Sequence, residues 1–299
     1  MMAKVQHYLS QMYLRGFSPW RYEKTATERQ KNQVWVYFLK KKEILLTSVR
    51  NVAARSHYYS FRNYDGSYNE VVEELFCKIE DRAAESFRNL ETAIDKSNLH
   101  AYTEGIREID QRNLMEFLFL HMIRVPAVMD SIRQESAKHE TAISKEYGKE
   151  YSEDYVQKNS LRVLTRIGRN KDRPILAYLL KKDCRILSVL RSRACFLTTD
   201  NPVTRFNTAG PDGIFYTNTG VYLPINQRAL MVLHGDKNRH EIVRFKDVIA
   251  VFDFNCHMAR RAKELIVSSN KDYLMKVLNA AGAEVVDKDG DKQDGHDSV

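Results

Sequence analysis

Five polar residues set in apolar or rigid surroundings carry the chemical potential of this chain: His7, Glu80, Arg124, Asp200 and Asn201. A histidine serves as general base or metal ligand, a carboxylate as acid, base or ligand, and an arginine clamps an anion. Arg124 lies in Met122-Ile-Arg-Val-Pro126, within the most apolar helical stretch of the chain. A guanidinium buried without partners costs several kcal/mol, so this position predicts an acid or a ligand beside it. Glu80 follows an apolar stripe residue, and Asp200-Asn201-Pro202 follows the strand-like Phe196–Thr199. Gln11 and Asn255 support them. Gln11 sits four residues after His7, on one face of a predicted helix, and Asn255 follows the strand-like Val251–Phe254.

If these residues converge, they suit a phosphoester hydrolase acting on nucleic acid or nucleotides. His7 would be base or ligand, Glu80 or Asp200 acid or ligand, and Arg124 the anion clamp, with room for a divalent ion on the carboxylates. The same residues also suit a satisfied buried network that fixes helices against a sheet. That second arrangement predicts a non-catalytic nucleic-acid-binding or protein-interaction module, and the sequence leaves open whether the protein is an enzyme. No phosphate loop, dinucleotide fingerprint, nucleophile elbow or His-Glu-x-x-His motif is present, which argues against the familiar nucleotide and cofactor enzymes.

Charge points to a partner. The 299 residues carry 47 Lys+Arg against 39 Asp+Glu, a net +8. The cations concentrate in the segment holding Arg162, Arg166, Arg169, Arg173, Lys181 and Lys182. Arginine suits bidentate phosphate contact, so this segment is a candidate surface for nucleic acid or another polyanion. No base-reading motif accompanies it, and a solvated face is the plainer alternative. Tyr58, Tyr59 and Phe61 have the chemistry to stack on bases, but such a cluster is expected in the core.

The elements that must position these residues are predicted as α+β. Long central helices pack against a short N-terminal hairpin and C-terminal antiparallel strands, in one domain over residues 1–283. A single short helix is expected from His7 to Leu14, stopped at Gly16 and Pro19. The hairpin pairs Val34–Leu39 with Ile44–Ser48. Helical periodicity covers Asn69–Lys96 and then Asp110–Tyr147, the latter kinked at Pro126 with its polar second half projecting as a docking arm. Further helices are expected over Glu153–Ile167 and from Pro174 onward. Short strands are expected at Ile186–Leu190, Ala194–Thr198, Gly220–Leu223, Ala229–His234 and Val248–Phe254, with helices at Arg260–Leu265 and Lys271–Ala280. The acidic tail, residues 284–299, is expected to be disordered.

No run reaches the roughly 18 apolar residues of a membrane helix, and the start of the chain lacks a signal core. The four cysteines have no metal-site spacing and read as reduced thiols, so a cytoplasmic setting is expected.

Several of these residues also recur as a set. His7-x-x-x-Gln11-x-x-Leu14-x-x-Phe17, Arg124-x-Pro126, Thr198-Thr-Asp-Asn-Pro-Val203, Leu223-Pro224, and Asn255 with Ala262 and Val267 together resemble the domain-of-unknown-function family 4238 over about residues 5–270. That family's strand-end motif usually has Ser where this chain has Thr199, which keeps the hydroxyl. Its Leu-Ser after the proline is Ile225-Asn226 here. The resemblance implies a single mixed domain and no established activity.

Overall fold

The computed structural model describes residues 5–63, 65–96, 106–138, 145–146, 155–164, 174–189, 194–206, 215–216, 218–237 and 239–286. The chain opens with strand β1 (Val5–His7), not with the predicted helix. The side chain of Ser10 accepts from the Tyr13 amide and so starts helix α1 (Gln11–Arg15) only at Gln11. His7 and Gln11 therefore share no helical face. The Gln6 side chain accepts from the Tyr59 amide and donates to Ser60, which holds β1 against strand β4 (Ala54–Ser56).

A short helix, α2 (Glu28–Lys31), begins at a capping box formed by Thr27 and Gln30. The expected hairpin follows as β2 (Gln33–Phe38) and β3 (Glu43–Ser48). A small ribbon pairs β5 (Phe61–Arg62) with β6 (Tyr68–Asn69).

Helix α3 (Val71–Lys96) turns Val72, Phe76, Ile79, Ala83, Phe87, Leu90 and Ile94 inward at helical spacing. It packs on α4 (Glu108–Ile123), which is buried almost all round, and the rings of Phe87 and Phe117 meet at 5.0 Å. The single kinked helix expected here is two helices. Val125 is extended, as the residue before a proline prefers, and α5 (Pro126–Ala137) starts with Pro126 in its first turn. Residues 155–164 are helical, and α6 (Pro174–Leu180) begins at the predicted proline.

The C-terminal part builds two sheets. The first has the order β12-β7-β11-β10-β9, from β7 (Cys184–Ser188), β9 (Thr204–Phe206), β10 (Gly220–Asn226), β11 (Ala229–Leu233) and β12 (His240–Arg244). Its pairings are antiparallel except β12 with β7, which is parallel. One face, including Ile186, Val221, Leu223, Met231, Leu233 and Ile242, enters the main core with α3 and α4.

The second sheet joins both ends of the chain in the order β3-β2-β13-β8, with β8 (Thr198–Thr199) and β13 (Leu265–Ser268). Of the strand expected at Ala194–Thr198, only its end at β8 is present. The predicted strand Val248–Phe254 is instead the first half of helix α7 (Val248–Arg261). Asp247 caps this helix through the amides of Ile249 and Ala250. The helix expected at Arg260–Leu265 is thus the end of α7 and the start of β13. Helix α8 (Lys271–Ala281) runs as predicted and packs against α7 through Met258, Ala259, Leu274, Val277 and Leu278.

The architecture is α+β. The tail is not free from residue 284: Glu284 pairs with Lys42, its carbonyl accepts from Tyr37 at 2.6 Å, and the Val286 amide donates to Lys42. Residues 287–299 lie outside the described residues, as do residues 139–144 and 147 of the expected docking arm.

Candidate functional site

Arg124 caps the C-terminus of α4 and is 1% exposed. One terminal nitrogen pairs with the Glu80 carboxylate from α3, and the other donates to the backbone carbonyl of His7 on β1. Its guanidinium lies 5.1 Å from the Phe76 ring centre and 5.6 Å from that of Tyr59, whose hydroxyl donates to the Arg124 carbonyl. Burial works against the charge, but Glu80, with Tyr59 and Glu73, outweighs it and raises the pKa further. The acid that the sequence required beside Arg124 is therefore Glu80.

His7 joins the cluster mainly through its main chain. Its ring is half-buried, with Nε2 3.1 Å from the Arg50 carbonyl. Burial lowers its pKa; the Arg50 contact opposes this, and the nearby Arg124 charge adds to the lowering. A second histidine, which the sequence argument did not single out, lies deeper. His121 is wholly buried between the rings of Tyr13 and Phe117, and its Nδ1 is 3.1 Å from the Phe117 carbonyl. Its Nε2 has no hydrogen-bond partner. Burial, then Arg124, pushes its pKa down to about 3. The only signal for it was its place one turn before Arg124. Exposed Cys77, one turn from Glu80 on α3, has a raised pKa from partial burial and then from Glu80 and Glu73, which disfavours a nucleophilic thiolate.

Asp200 and Asn201 belong to a different node. Asp200 Oδ1 accepts the amides of Lys263, Glu264 and Leu265 at 2.9, 3.1 and 3.2 Å, tying the end of β8 to the start of β13. Thr199 and Asn201 close a turn, the hydroxyl donating to the Asn201 carbonyl and accepting its amide. That explains why a hydroxyl, Thr or Ser, is what position 199 requires. Asn255, buried inside α7 and not at a strand end, accepts from the Leu197 amide and donates to the Cys195 carbonyl and the Tyr273 hydroxyl. Gln11 starts α1, half-buried, two residues before Tyr13, whose hydroxyl joins Thr198 and the Pro224 carbonyl at 2.8 and 2.7 Å. The structure thus brings His7, Glu80 and Arg124 together and assigns Asp200, Asn201 and Asn255 to other seams. Among the described residues, no three His, Cys, Asp or Glu side chains are arranged to hold a metal ion.

The basic segment divides as well. Arg162 and Lys181 are exposed. Lys182, expected on the binding surface, is instead buried: it is 2% exposed, with Nζ donating to the carbonyls of Tyr216 and Thr219 at 3.1 and 3.0 Å. It closes a loop and presents no charge to a ligand. Arg166, Arg169 and Arg173 lie outside the described residues. Tyr58 and Tyr59 are core, as expected.

A feature that motif reasoning missed is a pocket of about 360 Å³ on the outer face of the five-stranded sheet, beneath α7. Its walls include Phe206, Tyr222, Phe245 and Phe254, with Asp253 and His257 at one side. Three distant chain segments supply these rings, so no local pattern announces them.

The sequence profile of one family, described as Protein of unknown function (DUF4238), matches residues 5–272. No curated protein and no solved structure matches the chain.

Proposed function

We propose, from the premise that this chain belongs to the DUF4238 family, that it is a non-catalytic nucleic-acid-binding protein whose recurring polar residues hold the fold together. The observation that carries this reading is the enclosure of Arg124: 1% exposed, with both terminal nitrogens already used by Glu80 and the His7 carbonyl. A phosphate clamp needs a guanidinium that a substrate can reach. Asp200, likewise, is committed to three backbone amides. The net charge of +8 and the exposed Arg162 and Lys181 supply the attraction for a polyanion. A reducing, cytoplasmic setting fits the four free thiols, of which Cys184 is pushed up to about 12 by burial.

The hydrolase reading keeps one point in its favour, since the His7 ring and the Glu80 carboxylate are only partly buried. One experiment separates the two readings: binding and turnover of RNA, DNA and nucleotides, comparing wild type with Asp200→Ala. The binding reading expects salt-sensitive complexes and no turnover. Hydrolysis by wild type would overturn it, and its loss or retention in a folded Asp200→Ala variant would say whether Asp200 takes part.

A further inference from the structure

The five-stranded sheet has one face in the main core, and α7 covers the other face only in part. On that outer face Leu187 and Leu230 stand opposite each other, and Tyr222 faces Val232. Phe245 and Val251 complete a largely apolar wall around the 360 Å³ pocket, a volume within the range of small-ligand sites. Phe206, Tyr222 and Phe254 form a ring triad, with centroids 5.0 Å (Phe206–Tyr222), 6.0 Å (Tyr222–Phe254) and 6.4 Å (Phe206–Phe254) apart. The Tyr222 ring lies across Gly220, where a Cβ would come within 2.5 Å of its hydroxyl. The glycine thus makes room for this wall.

We infer that this pocket takes one unstacked nucleobase of a bound single strand; the inference rests on the nucleic-acid reading above. Aromatic walls favour a flat π-face whatever its sequence. The polar side selects further. Asp253 and His257 are spaced i, i+4 on α7 and so share a face. Asp253 is exposed, and a carboxylate accepts a hydrogen bond from the exocyclic amino group of adenine, cytosine or guanine, which thymine and uracil lack. The His257 ring is fixed edge-on to Phe206 at 4.0 Å, with Nε2 3.5 Å from the Thr204 hydroxyl. Exposed Lys246 directly follows the lining residue Phe245 and supplies a cation for a flanking phosphate.

The test is fluorescence anisotropy with labelled twelve-residue oligo-dA, oligo-dC, oligo-dT and a fully abasic deoxyribose-phosphate strand of the same length. Oligo-dA and oligo-dC are expected to bind about tenfold more tightly than the abasic strand, with oligo-dT between them. Asp253→Asn, at an exposed position, should shrink the preference for amino-bearing bases, and Ala250→Trp should fill the pocket and erase the difference between base-bearing and abasic strands. If all strands bind equally well, the pocket inference falls and the nucleic-acid reading stands. If Asp253→Asn leaves the base preference unchanged, the assignment of the carboxylate is overturned. If no strand binds at low salt, both fall together.

Discussion

Glu80 and Arg124 form a pair whose two halves are not equally dispensable. Deleting Glu80 strands a positive charge at a site 1% open to water, whereas deleting Arg124 leaves a carboxylate that still reaches solvent. Glu80→Ala is therefore predicted to cost about 3 kcal/mol, and more than Arg124→Met. The double variant should be no less stable than Glu80→Ala alone, as read by urea denaturation. His7→Ala should cost about 1 kcal/mol or less, because Arg124 uses the His7 carbonyl, which every residue has. The need for an acid near Arg124 was readable from the cost of burying its charge. The role of His7 was not, since a main-chain acceptor leaves no trace in residue identity.

His121 adds a pH signature at the same scale. Its folded pKa of about 3 lies below the ordinary histidine value, so the unfolded chain takes up a proton that the folded chain refuses. Its contribution is complete above about pH 6.5 and is lost as pH falls toward 3, by about 1.4 kcal/mol per pH unit. Unfolding free energies measured from pH 7 to pH 4 should fall less steeply for His121→Leu than for wild type, by about one proton's worth of slope.

At the scale of elements, the junction between α7 and β13 depends on a side chain from elsewhere in the sequence. Asp200 satisfies three consecutive amides there, and hydrogen bonds to a charged acceptor are among the stronger ones. Asp200→Ala is predicted to lower stability by about 2–3 kcal/mol, and Asp200→Asn, which keeps an acceptor oxygen, by less. Nucleic-acid affinity, measured where both variants are folded, should be unchanged. The hairpin, α3 and α8 were readable from period alone. Helix α7 was misread because Val248–Phe254 is a run of β-branched and aromatic residues, a composition that suits strands. Its inward face only becomes evident over the full length to Arg261, with Val251, Asn255, Met258 and Ala259 buried at helical spacing. The break before α5 was readable at Pro126, and the start of α1 was carried by Ser10, a capping signal that outweighs the apparent His7–Gln11 spacing.

At the scale of the molecule, the proposal makes binding an electrostatic matter. Affinity for a single-stranded oligonucleotide should fall steeply between about 50 and 200 mM salt. The tail is predicted to modulate this. Glu284–Val286 are fastened to the hairpin turn, so truncation should begin after them. Residues 287–299 hold five Asp and two Lys, and their removal takes the net charge from +8 to +11. The truncated protein is predicted to bind more tightly at low salt, with the gain fading as salt rises; equal affinity at every salt concentration would remove the tail from the mechanism. The α+β class was readable from the change of hydrophobic period along the chain. The pocket and the mixed sheet were not, because their parts meet only through contacts between distant segments.

The order β3-β2-β13-β8 also sets a schedule for synthesis. Strand β2 leaves the ribosome early, but its second neighbour, paired from Phe38 to Leu265, follows roughly 230 residues later. At about 5–20 residues per second, the nascent hairpin waits on the order of tens of seconds with one backbone edge unmet. During that interval the edge is a template for unrelated strands. Interrupted translation products of this chain are thus the species most exposed to aggregation and to capture by chaperones.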